Sequence, residues 1–195
     1  MATLLDQTAL PAASDDYRRF PISRQQYHEM GERGYFDGVR VELLRGEIVV
    51  MSPMNWRHSL GVNLSSDVLR NVFAAIGWVN LQSPIATEDS EPEPDVSVYS
   101  GKARDYSEHP TPGDALLVVE VAVSSLRYDM SRKAKFYAEE GVADYWVLDV
   151  DGRRLFVFRD PIDGAYSSQS TYGEAEAITP LAKPEAIVRV ADLLP

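Results

Sequence analysis

Cysteine is absent from this chain of 195 residues, which also contains only three histidines. Without thiolates the chain forms neither disulfide bonds nor cysteine-ligated metal sites. The histidines, His28, His58 and His109, are scattered along the sequence, which argues against a histidine-rich zinc site. The absence of cysteine fits a reducing compartment, and we expect a cytoplasmic protein.

Long hydrophobic runs are missing as well. No apolar stretch approaches the roughly 18 residues that a membrane-spanning helix requires. Residues Met1–Asp6 lack the basic residues of a signal peptide, so we expect no contact with a membrane. The sequence also lacks the glycine-rich phosphate loop of many nucleotide-binding proteins and the Gly-x-Ser-x-Gly turn of serine hydrolases. These absences argue against the corresponding enzyme classes.

Positive charge is scarce, because 19 lysines and arginines face 30 aspartates and glutamates, for a net charge of −11. This balance argues against a broad basic surface for nucleic acids, whose affinity comes mostly from Lys and Arg. It does not exclude a nuclease, since a bound metal adds local positive charge to an acidic site. Any contact with DNA is therefore expected to be local.

The remaining composition is that of an ordinary globular protein, with 45% hydrophobic and 25% charged residues. A chain of this length is typical of one domain with a substantial core. We expect a flexible N-terminal tail over residues 1–19, which are polar, and a single domain over residues 20–195.

One hydrophobic run contains an acid. Residues Leu116–Ala122 have the length and composition of a central strand buried on both faces, and Glu120 lies within it. A buried carboxylate is costly unless it is paired or binds a cation. Glu120 is therefore either paired with a core Lys or Arg, or a metal ligand together with Asp95 on the preceding predicted strand. Two such oxygen ligands suit Mg²⁺ or Mn²⁺.

A basic helix is predicted to follow, over Asp129–Gly141. At 100° per residue, its inner face contains Met130, Ala134, Tyr137, Ala138 and Gly141. Lys133 falls on the flank of that face, whereas Lys135 points away. Spacing alone leaves two interpretations of Lys133 open, an amine near Glu120 or a surface lysine whose stem lies along the protein.

The order and spacing of these residues resemble the Uma2 family (DUF820) of the PD-(D/E)XK, or restriction-endonuclease-like, nuclease superfamily. The resemblance is carried by four motifs: Pro94-Asp95, Glu120-Val121, Ser124-Ser125-Leu126-x-Tyr128-Asp129-x-x-x-Lys133-x-x-x-Tyr137, and Gly141-Val142-x-x-Tyr145-Trp146. Upstream, Glu42–Glu47 and Ser52-Pro53…His58 extend it, so that it covers roughly residues 20–195. Two positions depart from the related patterns: Ala122 replaces the usual superfamily lysine, and Val123 replaces a frequent polar residue.

The resemblance implies an α/β (α+β) fold with a restriction-endonuclease-like core, a mixed central sheet flanked by helices, an N-terminal hairpin and C-terminal strands. It implies that the lysine has moved to Lys133, and that Glu42 is an upstream acid of the active site, although most glutamates are solvated. It further implies a catalytic set of Glu42, Asp95, Glu120 and Lys133, of which the three acids hold the metal. His58, Tyr137 and Asp129 are expected to contact the substrate or support the site. A homodimer is also expected.

Local patterns predict the remaining elements. A helix over Arg24–Arg33 is expected to serve packing alone, and His58 at the start of a second helix either positions a phosphate or water or bonds to backbone. The acidic turn Thr87–Glu93 is expected to be solvated. The other predictions are a hairpin over Arg40–Met51, the helix His58–Ile76, strands over Trp78–Ala86, Glu93–Tyr99, Asp144–Val150 and Arg153–Arg159, a long loop over Ser100–Gly113, and short strands over residues 165–195.

Two functions fit these observations. The first is a Mg²⁺- or Mn²⁺-dependent endonuclease that hydrolyses DNA by a metal-activated water, with Lys133 orienting or deprotonating that water. The second is a nuclease-like fold that serves binding or assembly without turnover, as the acidic surface and Ala122 suggest.

Overall fold

The computed structural model describes residues 20–195. The tail predicted for residues 1–19 lies outside the described residues.

The N-terminal elements are a short helix and a hairpin. Helix α1 (Arg24–Glu32) begins at Ser23, whose side chain accepts from the Gln26 amide while the Gln26 side chain accepts from the Ser23 amide. Strands β1 (Val41–Leu44) and β2 (Glu47–Val50) pair antiparallel across a turn at Arg45 and Gly46, whose φ angles are 52° and 69°. The predicted hairpin is thus confirmed.

Six strands form the central sheet in the order β3-β4-β5-β6-β7-β8. Only the β5–β6 pair is parallel. The strands are β3 (Gly77–Leu81), β4 (Val96–Ser100), β5 (Ala115–Ala122), β6 (Asp144–Asp149), β7 (Arg154–Ile162) and β8 (Ala165–Gly173). The predicted mixed sheet is confirmed, but β3 is shorter than expected because the chain leaves the sheet at Gln82, where φ is 46°.

The C-terminal segment adds more regular structure than the sequence predicts. Strand β8 is nine residues long and extends the main sheet. A two-residue ladder of β9 (Ala177–Ile178) and β10 (Val188–Arg189) follows, and Ile178, Val188 and Leu193 join the core.

Helix α2 (Trp56–Phe73) covers one side of the sheet, which we call the apolar face and define by Leu117, Val119 and Val121 of β5. The buried helix residues Val62, Leu69 and Phe73 pack there. Gly61 permits close contact, because a Cβ at this position would lie 2.9 Å from Val121 Cγ1.

The other side of the sheet, the charged face, is defined by Val118, Glu120 and Ala122. It is covered by helix α3 (Leu126–Tyr128), a π-helical segment (Asp129–Lys133) and helix α4 (Ala134–Glu139). The sequence predicted one α-helix over Asp129–Gly141. The observed helix begins three residues earlier and ends at Glu139, and Gly141 adopts φ 77° immediately afterwards.

The acidic turn is not fully solvated, contrary to expectation. Glu91 is buried and pairs with Arg24 at 2.5 Å and His28 at 2.8 Å. This contact fixes α1 against the turn, because a carboxylate removed from water requires charged partners. None of the helices within residues 20–195 combines the length and the hydropathy of a membrane-spanning segment.

Candidate active site

A pocket of about 240 Å³ opens between the β1–β2 hairpin, the start of α2 and the π segment. Residues 49–55, from the end of β2 to the start of α2, form one part of its wall, and residues 123–125 with the π segment form another. Five of the predicted site residues line it: His58, Asp95, Glu120, Asp129 and Lys133. The sequence-based prediction therefore identified side chains that share one cavity.

The sheet register brings Asp95 and Glu120 together. Val96 of β4 pairs with Val119 of β5, so continuing the ladder by one residue places Asp95 opposite Glu120. Because side chains alternate along a strand, both acids lie on the charged face. Both are buried.

Asp95 is held by one of its two oxygens. Oδ2 accepts the Val121 amide at 2.8 Å and lies 3.0 Å from His58 Nε2. Oδ1 has only a long contact of 3.5 Å to the Gln82 amide nitrogen. Burial raises the pKa of Asp95, but the hydrogen bond and charge of His58, the Val121 amide and Lys133 outweigh it and lower the pKa below its usual value.

Glu120, like Asp95, has one carboxylate oxygen that is held by protein donors and one that is not. Oε1 accepts hydrogen bonds from Lys133 Nζ at 2.9 Å and from the Tyr137 hydroxyl at 3.2 Å. Oε2 accepts no hydrogen bond from the described residues. Burial raises the pKa of Glu120 well above its usual value, Lys133 opposes the rise, and the neighbouring acids, with Asp95 foremost, add to it.

Lys133 is almost fully buried, at 2% exposure, and its amine also lies 3.3 Å from Glu42 Oε2. Burial lowers the pKa of this lysine, but Glu120 and Glu42 outweigh burial and raise the pKa well above its usual value, so the amine stays charged. The surface-lysine interpretation is wrong, and the ion pair expected for a buried Glu120 is observed. Metal binding by Glu120 remains a prediction.

Glu42 is fully buried, which excludes the solvated alternative. Its Oε1 accepts from the Tyr128 hydroxyl at 3.2 Å, and its Oε2 accepts from the Glu93 amide at 3.3 Å besides facing Lys133. Glu42 is not part of the pocket wall. In this arrangement it supports Lys133, and both of its oxygens are engaged.

The His58 side chain does not bond to backbone, which was one of the two roles that the sequence left open, and its positioning of a phosphate or water stays a prediction. The backbone amide of His58 donates to the Asn55 side chain at the start of α2, while its ring contacts Asp95. The second ring nitrogen, Nδ1, is buried and has no hydrogen-bond partner among the described residues. His58 is therefore positioned to orient Asp95.

Asp129 and Tyr137 complete the predicted set. Asp129 lines the pocket and accepts from the Ser125 hydroxyl at 2.5 Å. Burial raises the pKa of Asp129 to about 6, although Lys133 and Ser125 oppose the rise. Tyr137 is buried beneath Glu120, and burial followed by the charge of Glu120 raises its pKa well above the usual value.

The charge of the site is unbalanced. Among residues 20–195, four buried carboxylates, those of Glu42, Asp95, Glu120 and Asp129, share one buried ammonium, that of Lys133, and His58 contacts Asp95. In a medium of low dielectric such an excess of negative charge is costly, and it favours either protonation of an acid or binding of a cation.

Comparison with known proteins identifies the relationship of this chain. A model of the Uma2 family, whose description is "Putative restriction endonuclease", matches residues 24–191. The chain belongs to the Uma2 family. The earlier resemblance is therefore confirmed over most of the sequence.

A solved structure of another DUF820 protein, from Anabaena variabilis ATCC 29413, superimposes on this Uma2 chain with a TM-score of 0.72. It is described as a "putative nuclease", covers 89% of this chain and 97% of its own, and is 15% identical. Identity this low shows a shared fold alone. No curated protein matches the chain.

The acids of this Uma2 chain fit a hard divalent cation in one respect. Mg²⁺ is commonly bound by one or two carboxylates, with water and substrate oxygens completing its shell. Asp95 and Glu120 supply two carboxylates in one pocket. Within residues 20–195, no group of three or more His, Asp or Glu side chains is arranged so that it could hold a metal ion.

Two contributors were missed in the sequence. Tyr128 lines the pocket and binds Glu42, and Gln82 reaches Asp95. Tyr128 lies beside Asp129 within the motif, and this adjacency was an available signal. Gln82 was assigned to a strand interior, and only the observed turn at this residue directs it to the site.

Proposed function

We propose that this Uma2 chain is a divalent-metal-dependent endonuclease that hydrolyses phosphodiester bonds in DNA. The description of its family as restriction endonucleases and its nuclease-like fold support this reaction class. The decisive observation is that two acids in one pocket each have only one of their two carboxylate oxygens held by hydrogen bonds shorter than 3.5 Å. Asp95 and Glu120 each fix one oxygen through protein donors and keep the other available.

Asp95 and Glu120 would hold Mg²⁺ or Mn²⁺ in this proposal. When bound, such an ion polarises the phosphate and lowers the pKa of a coordinated water. Glu42, which the sequence analysis also considered a metal ligand, serves mainly to hold Lys133. Its two oxygens already accept hydrogen bonds from the Tyr128 hydroxyl and the Glu93 amide, and Oε2 also forms an ion pair with Lys133.

Lys133 stabilises negative charge on the reacting phosphate. Its amine stays protonated because Glu120 and Glu42 raise its pKa, so it acts as a fixed cation and does not deprotonate the water. His58 orients Asp95, and the Tyr137 hydroxyl orients Glu120. Each ligand is thus fixed by a neighbouring side chain, as in well-ordered metal sites.

Cleavage assays test this function. Wild-type protein is expected to cut single-stranded, double-stranded or branched DNA in the presence of Mg²⁺ or Mn²⁺. Asp95→Asn and Glu120→Gln are each expected to lower the rate by about 10²–10³-fold, the size of the loss when one preorganised charge interaction is removed. Asp67→Asn and Glu32→Gln replace exposed acids and should leave the rate unchanged. Inert wild-type protein on all three substrates with both ions contradicts the proposal.

A second candidate is a nuclease-like fold without turnover, used for binding or assembly. The ion pair of Lys133 with Glu120 and Glu42 favours it, because it partly neutralises the acids without metal. Titration calorimetry separates the two functions. Heat of binding with Mg²⁺ or Mn²⁺ that disappears in Glu120→Gln supports the enzyme, whereas no binding at millimolar concentrations supports the silent fold.

The homodimer also remains a prediction. Analytical ultracentrifugation with and without DNA measures the mass of the particle, and a monomer under both conditions contradicts it.

A further inference from the structure

The basic side chains of the pocket wall differ in how they are engaged. Besides His58, the described residues that line the cavity include two cations, Lys133 and Arg40. The Lys133 amine is buried and is held by Glu120 and Glu42. The Arg40 side chain is 37% exposed, so an incoming ligand can reach this cation.

The pairing of the hairpin places the Arg40 side chain on the side of the acids. The Arg40 carbonyl accepts from the Met51 amide at 2.9 Å, so the β1–β2 ladder continues to this residue. Because side chains alternate along a strand, Arg40 lies on the same side of the hairpin as Glu42, which contacts Lys133. Met51, opposite Arg40, lines the pocket as well. The guanidinium therefore belongs to the side of the hairpin that faces the acid cluster.

Arg40 is held by one contact. Its Nη2 donates to Glu93 Oε2 at 3.2 Å, which uses one of the five N–H donors of a guanidinium. Its other donors have no hydrogen-bond partner among residues 20–195. The Glu93 side chain is 25% exposed, and an ion pair between partly exposed groups contributes little to stability. Glu93 is two residues before Asp95, so this contact keeps the guanidinium beside the segment that carries Asp95.

A phosphate is a better partner for Arg40 than Glu93 is in this geometry. A guanidinium binds phosphate through two parallel hydrogen bonds, whereas Glu93 accepts only one from it. The pocket also has a deficit of positive charge, because the acids around Lys133 already engage its amine. An exchange of Glu93 for a phosphate therefore adds a hydrogen bond and brings an available cation to the substrate.

We propose that Arg40 is a substrate-binding residue. Its guanidinium leaves Glu93 and binds a phosphate of the DNA backbone at the pocket, and Glu93 holds it in place when no substrate is bound. The inference rests on the proposed nuclease function and adds to it the residue that binds the substrate phosphate.

DNA binding without cleavage tests the inference. Fluorescence anisotropy measures Kd for a labelled single strand and for the corresponding duplex, in EDTA and with Ca²⁺ in place of Mg²⁺, over a range of salt concentrations. Arg40→Ala should raise the Kd of the form that binds about tenfold, as for the loss of one charged hydrogen bond. The salt slope should fall in magnitude by about 0.7–0.9, the value for one phosphate.

Substitution of Glu93 distinguishes a substrate contact from a structural ion pair. Glu93→Gln removes the carboxylate that competes for Arg40, so it should lower Kd about threefold, the reverse of the effect of Arg40→Ala. In the Arg40→Ala background, Glu93→Gln should leave Kd unchanged, because the carboxylate acts on DNA binding through the guanidinium. Asp67→Asn removes one exposed negative charge elsewhere and measures the effect of net charge alone.

Two further variants separate position and geometry from charge. Arg45→Ala is the matched control, since Arg45 lies on the same hairpin, is 39% exposed and pairs with acids, but does not line the pocket. It should leave Kd and the salt slope unchanged. Arg40→Lys should restore part of the affinity, because an ammonium keeps the charge without the two parallel hydrogen bonds. Circular dichroism verifies that each variant is folded, and Arg40→Gln replaces Arg40→Ala if the latter is not.

Three results overturn the inference: equal effects of Arg40→Ala and Arg45→Ala, a rise in Kd in Glu93→Gln as large as in Arg40→Ala, or no binding of either DNA by wild-type protein. Failure of the nuclease function is distinguishable. In that case DNA binding depends on Arg40, but no cleavage follows when Mg²⁺ or Mn²⁺ is added.

Discussion

The two faces of strand β5 use the same backbone for different purposes. Leu117, Val119 and Val121 enter the apolar face beneath α2, where the packed side chains are hydrophobic. On the charged face, Glu120 lies between Val118 and Ala122 and contacts a buried lysine and a buried tyrosine. Alternation along one strand thus places a hydrophobic core and an ionic cluster only one sheet thickness apart.

The difference between the two faces shows how the fold tolerates buried charges that lower its stability. Burial of apolar surface favours folding by roughly 25 cal/mol per Å², whereas an unpaired buried charge opposes it. The apolar face is free of such charges among its clustered residues, so it can offset the cost of the charged face. Substitutions on the apolar face should therefore lower stability without changing activity, whereas substitutions on the charged face should change both.

The largest effect is expected at Lys133. Lys133→Met removes the one ammonium that is buried among residues 20–195 and leaves Glu42 and Glu120 without their cation, which should cost about 3–5 kcal/mol of unfolding free energy. Urea denaturation measures it. Lys135→Met is the matched control, because Lys135 is 69% exposed and its pair with Glu139 contributes little.

A second variant verifies the cause of that loss. Adding Glu120→Gln to Lys133→Met removes one uncompensated charge and should restore part of the stability. If the double variant loses as much unfolding free energy as the two single variants lose together, the ion pair does not explain the effect.

On the apolar face, Leu117→Ala should lower the unfolding free energy by about 2–5 kcal/mol through the cavity it leaves. Cleavage per folded molecule should be unchanged at temperatures below the transition, because Leu117 points away from the pocket. A selective loss of kcat in fully folded protein would contradict the separation of the two faces.

The pH dependence of stability should depend on Asp129. Its folded-state pKa, about 6, is above its unfolded value. Its contribution to stability is therefore fully present below the unfolded pKa of about 4 and is lost as pH rises through 6. Asp129→Asn should remove a decline of about 2–3 kcal/mol from the metal-free protein between these values.

Urea titrations at several pH values, with Asp67→Asn as an exposed control, measure the Asp129 effect. An identical pH profile for wild-type protein and Asp129→Asn would show that Asp129 does not titrate in this range.

The smallest effect is expected at Tyr137. Tyr137→Phe removes one hydrogen bond to Glu120 and should cost about 1 kcal/mol. The loss should be accompanied by weaker metal binding in calorimetry, since Glu120 is then oriented less well. Tyr35→Phe alters an exposed tyrosine and should change neither quantity. Unchanged metal affinity in Tyr137→Phe would limit this tyrosine to packing.

Much of the charged face could be predicted because strand periodicity determines it. Glu120 lies within the hydrophobic run Leu116–Ala122, and Asp95 begins a run of alternating polar and apolar residues that ends at Tyr99. These two patterns were sufficient to predict that both acids lie on one side of a sheet. Lys133 was harder, because the sequence was projected on a regular α-helix. The π segment carries more residues per turn, and the complete burial of Lys133 was therefore not visible in a 100° projection.

Contacts between distant segments could not be predicted from local patterns. The burial of Glu91 depends on Arg24 and His28, which lie more than 60 residues away in sequence. Likewise, the contact of Gln82 with Asp95 follows from the chain leaving β3 at Leu81. Such pairings are set by tertiary packing, which propensity and spacing do not encode.

The close packing at Gly61 on the apolar face affects the position of Asp95 on the charged face. Its missing side chain lets α2 rest directly on Val121, whose amide donates to Asp95, while the same helix carries His58 to that acid one turn earlier. A methyl group at Gly61 would push the helix outward and draw the imidazole away from its carboxylate. The orientation of Asp95 on one side of the sheet thus depends on how closely α2 approaches Val121 on the other.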